Sequence, residues 1–298
     1  MIKELKLKYP SEFNGEEYLT ITSILSPFYF EKYDGFGMPQ IRQEIQVAGN
    51  RDGMVKGNSL YGGRIVSVEG KFHCYTRSEL LRLRGQLEYA ISLGQYGFRD
   101  PREMLIVLDD DDLTELTTNF FLHNDPDFSY NKGERHFGSF RFDLACESGV
   151  FTETTEQIEI IPIYSTFFGF PLPFTIPFTL GNSNQTMVKP YNKGNEQADT
   201  IIQFTKKVTN PNVRNKTTGQ SFTITETIDD GDEMLVDSLD NTVLLKRVGE
   251  ITYSNITSKF LGTWIKLAPG ENEIIFTGQN TNSQTTLNIK WFNSYIGI

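Results

Sequence analysis

The stretch from Thr76 to Gly94, TRSELLRLRGQLEYAISLG, constrains the fold most, because it is the one clear helix in a chain otherwise patterned as strands and turns. Thr76 followed three residues later by Glu79 is a capping-box signature, in which the hydroxyl and the carboxylate each satisfy a free backbone N–H of the first turn. Leu80, Leu83, Leu87, Ala90 and Ile91 recur at helical spacing, and Gly94 can turn left-handed and stop the helix. A helix over 77–93 with a single apolar stripe must bury that stripe. It is therefore expected to close the open face of a β-sandwich or barrel, and the stripe reads as core, not as a catalytic face.

Around the helix the pattern is that of strands. Residues 2–8, 18–25, 40–47, 63–74 and 103–108 alternate or run β-branched, and 113–123 and 137–146 read as long strands that pair with each other. Turns are expected at Pro10 to Gly15, at Tyr33 to Pro39, at Gly49 to Gly53 and at 131–133. The Gly35-Phe36-Gly37 sequence lacks the third glycine and the following helix of a dinucleotide loop, so it reads as hairpin chemistry. In FFGFPLPFTIPF, Pro171, Pro173 and Pro177 interrupt apolar residues, which assigns residues 167–178 to a sheet edge or an extended arm. From Ala198 onward short strands alternate with turns such as Asn210-Pro211-Asn212, Asp229 to Asp232 and Asp240-Asn241, as in an antiparallel sandwich. A length of 298 residues accommodates two cores. The expected organisation is mainly β, with an N-terminal sandwich- or barrel-like domain over 1–152 and a β-sandwich over 153–298.

Lys and Arg number 28 against 38 Asp and Glu, a formal charge of -10, which argues against non-specific binding to nucleic acid or an anionic membrane. The opening residues alternate like a strand and no run approaches the ~20 apolar residues of a membrane span, so neither a secretory signal nor a membrane segment is expected. Cys74 and Cys146 have no CxxC partner, and His73, His123 and His136 have no ligand spacing, so no disulfide framework and no metal or other cofactor is expected. No GxSxG elbow or phosphate-binding glycine loop occurs. The acidic runs Asp109, Asp110, Asp111, Asp112 and Asp229, Asp230, Asp232 read as solvated turns. The second lacks the ligand alternation of a calcium loop.

The stretch 192–291 carries a family pattern. Asn192-Lys193-Gly194 precedes the strand Ala198–Val208, and Asn210 to Asn215 leads through Thr217-Thr218-Gly219 into Phe222-Thr223-Ile224. Gly231-Asp232 opens Glu233 to Asp237, and Leu267-Ala268-Pro269-Gly270-Glu271-Asn272 leads into Glu273 to Phe276. This resembles the distal tail proteins of long-tailed, non-contractile bacteriophages and related prophage tail components, in which a Leu-x-Pro-Gly-x-Asn turn precedes a late strand of a galectin-like sandwich. The Asp34 to Pro39 turn, the strand 63–72 and the helix 77–93 stand where that family has its ring-forming domain.

The resemblance implies a structural virion protein of the tail tip, made in the bacterial host cytoplasm and without enzymatic activity. Six copies would form a homo-hexameric ring around the DNA channel, in contact with the tail tube protein, the tape measure protein, a tail-associated hub or lysin protein and receptor-binding or baseplate proteins. Asp109 to Asp112 would be candidates for the ring lining. The competing class is a carbohydrate-binding sandwich, in which Trp264 and Trp291 would stack on sugar faces. Both tryptophans read as strand residues with alternating neighbours, which favours core packing. A third class, a cell-wall hydrolase, has no motif behind it.

Overall fold

The computed structural model describes all residues except 14, 25, 48–51, 53, 93–101, 112–113, 131–135, 163–185 and 280–284. Gly94, Asp112, most of the Gly49 to Gly53 turn, the turn at 131–133 and the Pro- and Phe-rich stretch 167–178 lie outside the described residues. The chain is mainly β, with one α-helix, and divides into two compact units: Met1–Thr154 with Tyr295–Ile298, and Thr155–Ser294.

In the first unit the strands close on themselves. Going round, Glu115–Leu122, Arg102–Leu108, Ile2–Phe13, Glu16–Thr22, Phe28–Asp34, Arg64–His73 and Phe137–Cys146 are neighbours, and Phe137–Cys146 returns to Glu115–Leu122. The seams are unequal. Arg64–His73 runs antiparallel to Phe137–Cys146 over their whole length, from Arg64 opposite Cys146 to His73 opposite Phe137. The pairing expected between 113–123 and 137–146 exists only over Leu144, Ala145 and Cys146, where it closes the barrel. Glu16–Thr22 and Phe28–Asp34 meet in parallel at Thr22 and Tyr29 alone. A separate hairpin, Ile41–Val47 with Met54–Tyr61, stands outside the barrel ladder.

The helix, Arg77–Ile91, carries the expected stripe: Leu80, Leu83, Leu87, Ala90 and Ile91 are buried in the core cluster of the barrel. It packs on Ile2–Phe13, Glu16–Thr22 and Arg64–His73. Thr76 accepts a hydrogen bond from the Glu79 N–H as expected, but the Glu79 carboxylate reaches one residue further back, to the Tyr75 N–H. At the other end Ser92 caps Tyr89, and the Arg102 guanidinium donates to the carbonyls of Ala90 and Ser92. A cation on the last free carbonyls thus ends the helix, in keeping with its dipole.

Among the described residues the second unit holds a two-stranded sheet, Tyr191–Asn192 with Gly270–Glu271, and two large antiparallel sheets. One runs Gln157–Pro162, Thr286–Trp291, Ala198–Thr205, Glu233–Asp237, Thr242–Lys246 and Ser254–Asn255. The other runs Thr186–Val188, Ile274–Gln279, Val208–Asn215, Ser221–Ile224 and Phe260–Gly262. Alternate residues of both, among them Ile202, Phe204 and Ile289 from the first and Val213, Phe222 and Phe276 from the second, form one core. The rings of Phe204 and Phe276 are 5.6 Å apart across it.

Two expected turns contain bulged strand, and of the one expected over Pro10 to Gly15 the end does turn, at Gly15 with φ 81°. Pro10 lies inside Ile2–Phe13, where the register shifts between Lys8 and Phe13. Pro211 lies inside Val208–Asn215, where Asn210 has φ 49° and the register shifts between Thr209 and Asn212. Proline has no N–H to give a ladder, so each sits where the ladder is interrupted. The chain reverses instead at Lys206, with φ 70°.

Leu87→Asp places a charge at a fully buried position on the helix and is expected to cost several kcal/mol and unfold the first unit. Urea denaturation followed by circular dichroism checks this, and an unchanged transition would mean that the stripe does not face the core.

Candidate functional site

Arg64 begins the strand Arg64–His73 with its side chain turned inward, and only 4% of the residue is exposed. Its guanidinium donates to five backbone carbonyls: Gly35 at 3.3 Å, Phe36 at 3.3 Å, Gly37 at 3.0 Å, Ile296 at 2.7 Å and Gly149. It lies 4.0 Å from the centroid of the Phe151 ring, whose negative face favours a cation. Burial lowers its pKa to about 10, and among the described residues no carboxylate pairs with it. The Asp34-Gly35-Phe36-Gly37 turn is therefore fixed by a tertiary cation; the hairpin expected there is not formed, since the flanking strands Phe28–Asp34 and Ile41–Val47 belong to different sheets. Gly35 itself has φ 88°, and a Cβ there would sit 2.0 Å from the Ile65 carbonyl oxygen, so only glycine fits.

In the second unit three asparagines, each almost fully buried, do the same with neutral amides. Asn192 donates to the carbonyls of Glu196 at 2.8 Å and Leu267 at 3.1 Å and accepts from the Gly194 N–H at 2.9 Å. Asn215 donates to Lys266 O at 3.0 Å and to Asn272 Oδ1 at 3.2 Å, and accepts from the N–H groups of Thr217 and Thr218. Asn272 accepts from the Ala268 N–H at 2.9 Å and donates to Ala268 O at 2.7 Å and Gly270 O at 3.0 Å. The Leu267 to Asn272 turn is thus sealed by its own asparagine, and Gly270 adopts the required φ of 87°. The cation gathers loop backbone, and the amides tie turn backbone to the short strands Lys266–Leu267 and Gly270–Glu271.

A double turn extends this pattern. Asp232, 7% exposed, accepts from the N–H groups of Asp229 and Val248 and pairs with Arg247 at 2.6 Å. Burial opposes its ionisation, yet these bonds outweigh it and hold the carboxyl below the usual carboxylate range. Asp232 is committed to the fold, and among the described residues no three His, Cys, Asp or Glu side chains gather as a metal-ligand set.

The other candidates are placed as follows. Asp109, Asp110 and Asp111 are exposed in the turn between Arg102–Leu108 and Glu115–Leu122, where Asp110 caps the Thr114 N–H at 2.8 Å. Trp291 is 5% exposed in its strand and donates to Asn293 Oδ1 at 3.2 Å. Trp264, expected in a strand, lies in the connection between Phe260–Gly262 and Lys266–Leu267 and stacks on Phe260 at 3.9 Å, so one of its faces is taken. Cys74 and Cys146 are free and buried. Sequence reasoning did not single out Arg64 or the buried role of the three asparagines. An arginine in an alternating strand, in step with the inward-facing Val66, Val68 and Phe72, was the available signal for the first.

Residues 193–295 match the family described as siphovirus-type tail component, C-terminal domain. This bears out the resemblance drawn from 192–291. Among solved structures, the Dit protein of phage SPP1, described as a paradigm of the hub adsorption apparatus in phages infecting Gram-positive bacteria, superposes with a TM-score of 0.63. It is 12% identical, and the match covers 97% of this chain and 98% of that one, so the two share a fold. A chain of the phage p2 baseplate matches with a TM-score of 0.42 at 11% identity over 96% of this chain and 97% of that one, too low to carry an argument. No curated protein sequence matches the chain.

Arg64→Met leaves five carbonyls without their donor and is expected to destabilise the first unit by about 3 kcal/mol, with faster hydrogen exchange at residues 35–37. Asn272→Ala should lower the stability of the second unit by about 2 kcal/mol in the same urea assay. Burial pushes the Cys146 thiol from its ordinary 9 up to about 12. The folded thiol thus keeps a proton that the unfolded chain releases between those values, so its contribution to stability is lost as pH rises through that window. Cys146→Ala should flatten the alkaline fall in stability over pH 9 to 12, and a native thiol assay at neutral pH should titrate neither cysteine.

Proposed function

We propose that this chain is a distal tail protein, a structural hub of the tail tip of a long-tailed, non-contractile phage or prophage. The observation that carries this is the family match over 193–295, supported by a shared fold over the whole chain with a hub protein of that kind. In this reading residues 1–152 form a homo-hexameric ring that docks on the tail tube protein and the tape measure protein on one side and on the hub or lysin protein on the other. Residues 153–298, taken as a galectin-like sandwich, carry receptor-binding or baseplate proteins. The chain is made in the host cytoplasm, ends in the virion and performs no catalysis.

The physical chemistry agrees with that role. A ring through which DNA passes must not hold it, and a charge of -10 with an exposed turn at Asp109, Asp110 and Asp111 repels phosphate. Loops locked by Arg64, Asn215 and Asn272 bind partners without a large ordering cost.

A second reading, a module for neutral saccharides, draws on one observation. A groove of about 490 Å³ on the second unit is lined by Asn210, Asn212, Thr223, Thr225, Thr277 and Gln279, uncharged amides and hydroxyls that match sugar hydroxyls. Trp291 is buried and cannot stack on a ligand.

Native mass spectrometry of the purified chain, with negative-stain images of the same sample, is expected to give hexamers with a central hole. A strict monomer that also binds host wall glycans, with Asn212→Ala abolishing the binding, would replace the hub reading by the saccharide one.

A further inference from the structure

The barrel of the first unit has a notch at its weakest seam. Glu16–Thr22 is paired with Ile2–Phe13 along one edge, but its other edge meets Phe28–Asp34 only at Thr22. Among the described residues no strand pairs the remainder of that edge, so its backbone N–H and C=O groups open onto the seam. A cavity of about 570 Å³ occupies the place, with Leu19, Phe28 and Leu83 forming an apolar floor. Its size is that of a ligand site.

Two side chains of the helix make this more than a defect. Gln86 stands within the buried stripe, between Leu83 and Leu87, and is 7% exposed. It lines the cavity and its amide makes no hydrogen bond among the described residues. The amide faces the cavity and offers one acceptor and two donors, the complement of a peptide group. Arg82, one turn earlier, lines the same cavity, is exposed and enters no ion pair among the described residues. Lys6 and Glu17, also at the cavity, are already paired, with Glu115 at 3.2 Å and with Lys8 at 3.0 Å. The uncompensated charge of the notch is therefore positive.

We propose that this notch is a docking site for an extended, acidic segment of another polypeptide. The segment adds as a strand to the free edge of Glu16–Thr22, sets an apolar side chain on Leu19, Phe28 and Leu83, pairs one peptide group with the Gln86 amide and places a carboxylate on Arg82. Main-chain pairing supplies affinity, and the alternate side chains supply selectivity. The inference stands on the first unit alone and does not depend on ring formation.

The test uses the full chain and a fluorescein-labelled hexapeptide of alternating valine and aspartate, with a valine–lysine hexapeptide as control. Saturable binding by fluorescence anisotropy is expected for the acidic peptide, about tenfold or more weaker for the lysine peptide and for Arg82→Glu. Gln86→Leu should weaken binding by a similar factor while its melting temperature stays level, because the amide makes no hydrogen bond among the described residues. Hydrogen exchange should show added protection, only when peptide is present, of those amides of residues 17–20 that point away from Ile2–Phe13. The proposal is overturned if the acidic peptide does not saturate by millimolar concentration or if both variants bind like the parent. It is equally overturned if Gln86→Leu melts lower, which would give the amide a structural partner. Protection in the free chain of the amides of residues 17–20 that point away from Ile2–Phe13 would also sink it, since another part of the chain or a second copy would then hold the edge.

Discussion

Arg64 puts a positive charge inside the first unit with no carboxylate paired to it among the described residues, and the surrounding loops are arranged around that fact. Stripping a guanidinium of water is costly, and five carbonyl dipoles and the Phe151 ring replace the lost solvation. Those carbonyls come from three separate places, residues 35–37, 149 and 296, the last 232 positions away in sequence. One side chain therefore brings Tyr295–Ile298 into the first unit and holds the glycine-rich turn that precedes the hairpin Ile41–Val47 with Met54–Tyr61. The charge cannot be satisfied unless all three segments are in place, which makes their positions cooperative.

The second unit reaches the same end without a charge. Asn192, Asn215 and Asn272 use both donors and acceptor against loop backbone, and two of them touch each other at 3.2 Å. An amide carries less desolvation cost than an ion but holds fewer carbonyls, and the second unit accordingly spreads the task over several residues. In the proposed hub role, loops fixed before a partner arrives reduce the entropy that docking must overcome.

The barrel is also unevenly closed. The long antiparallel seam between Arg64–His73 and Phe137–Cys146 is continuous, whereas the seams at Leu144 to Cys146 and at Thr22 are brief. The helix packs over the two strands that border the briefest seam on one side, so side-chain burial by Leu83 and Leu87 does there what backbone pairing does elsewhere. Hydrophobic contact has no direction and tolerates an open edge, which a ladder of hydrogen bonds does not.

What the sequence determined by itself is what neighbours along the chain decide. The helix, its cap, its buried stripe, the period-two strands and the positive φ at Gly270 all follow from interactions within a few residues, and the family pattern over 192–291 is of the same local kind. Pro10 and Pro211 mark the limit: the residue types that make a turn also make a bulge, and only the partner strand tells them apart. The roles of Arg64, Asn192, Asn215 and Asn272 were decided by the tertiary structure, because their partners lie up to hundreds of positions away. The same holds for which strands pair, and for the brief meeting of Glu16–Thr22 with Phe28–Asp34. A hydrogen bond or a ladder is a relation between two segments, and a pattern read along one segment contains no term for the other.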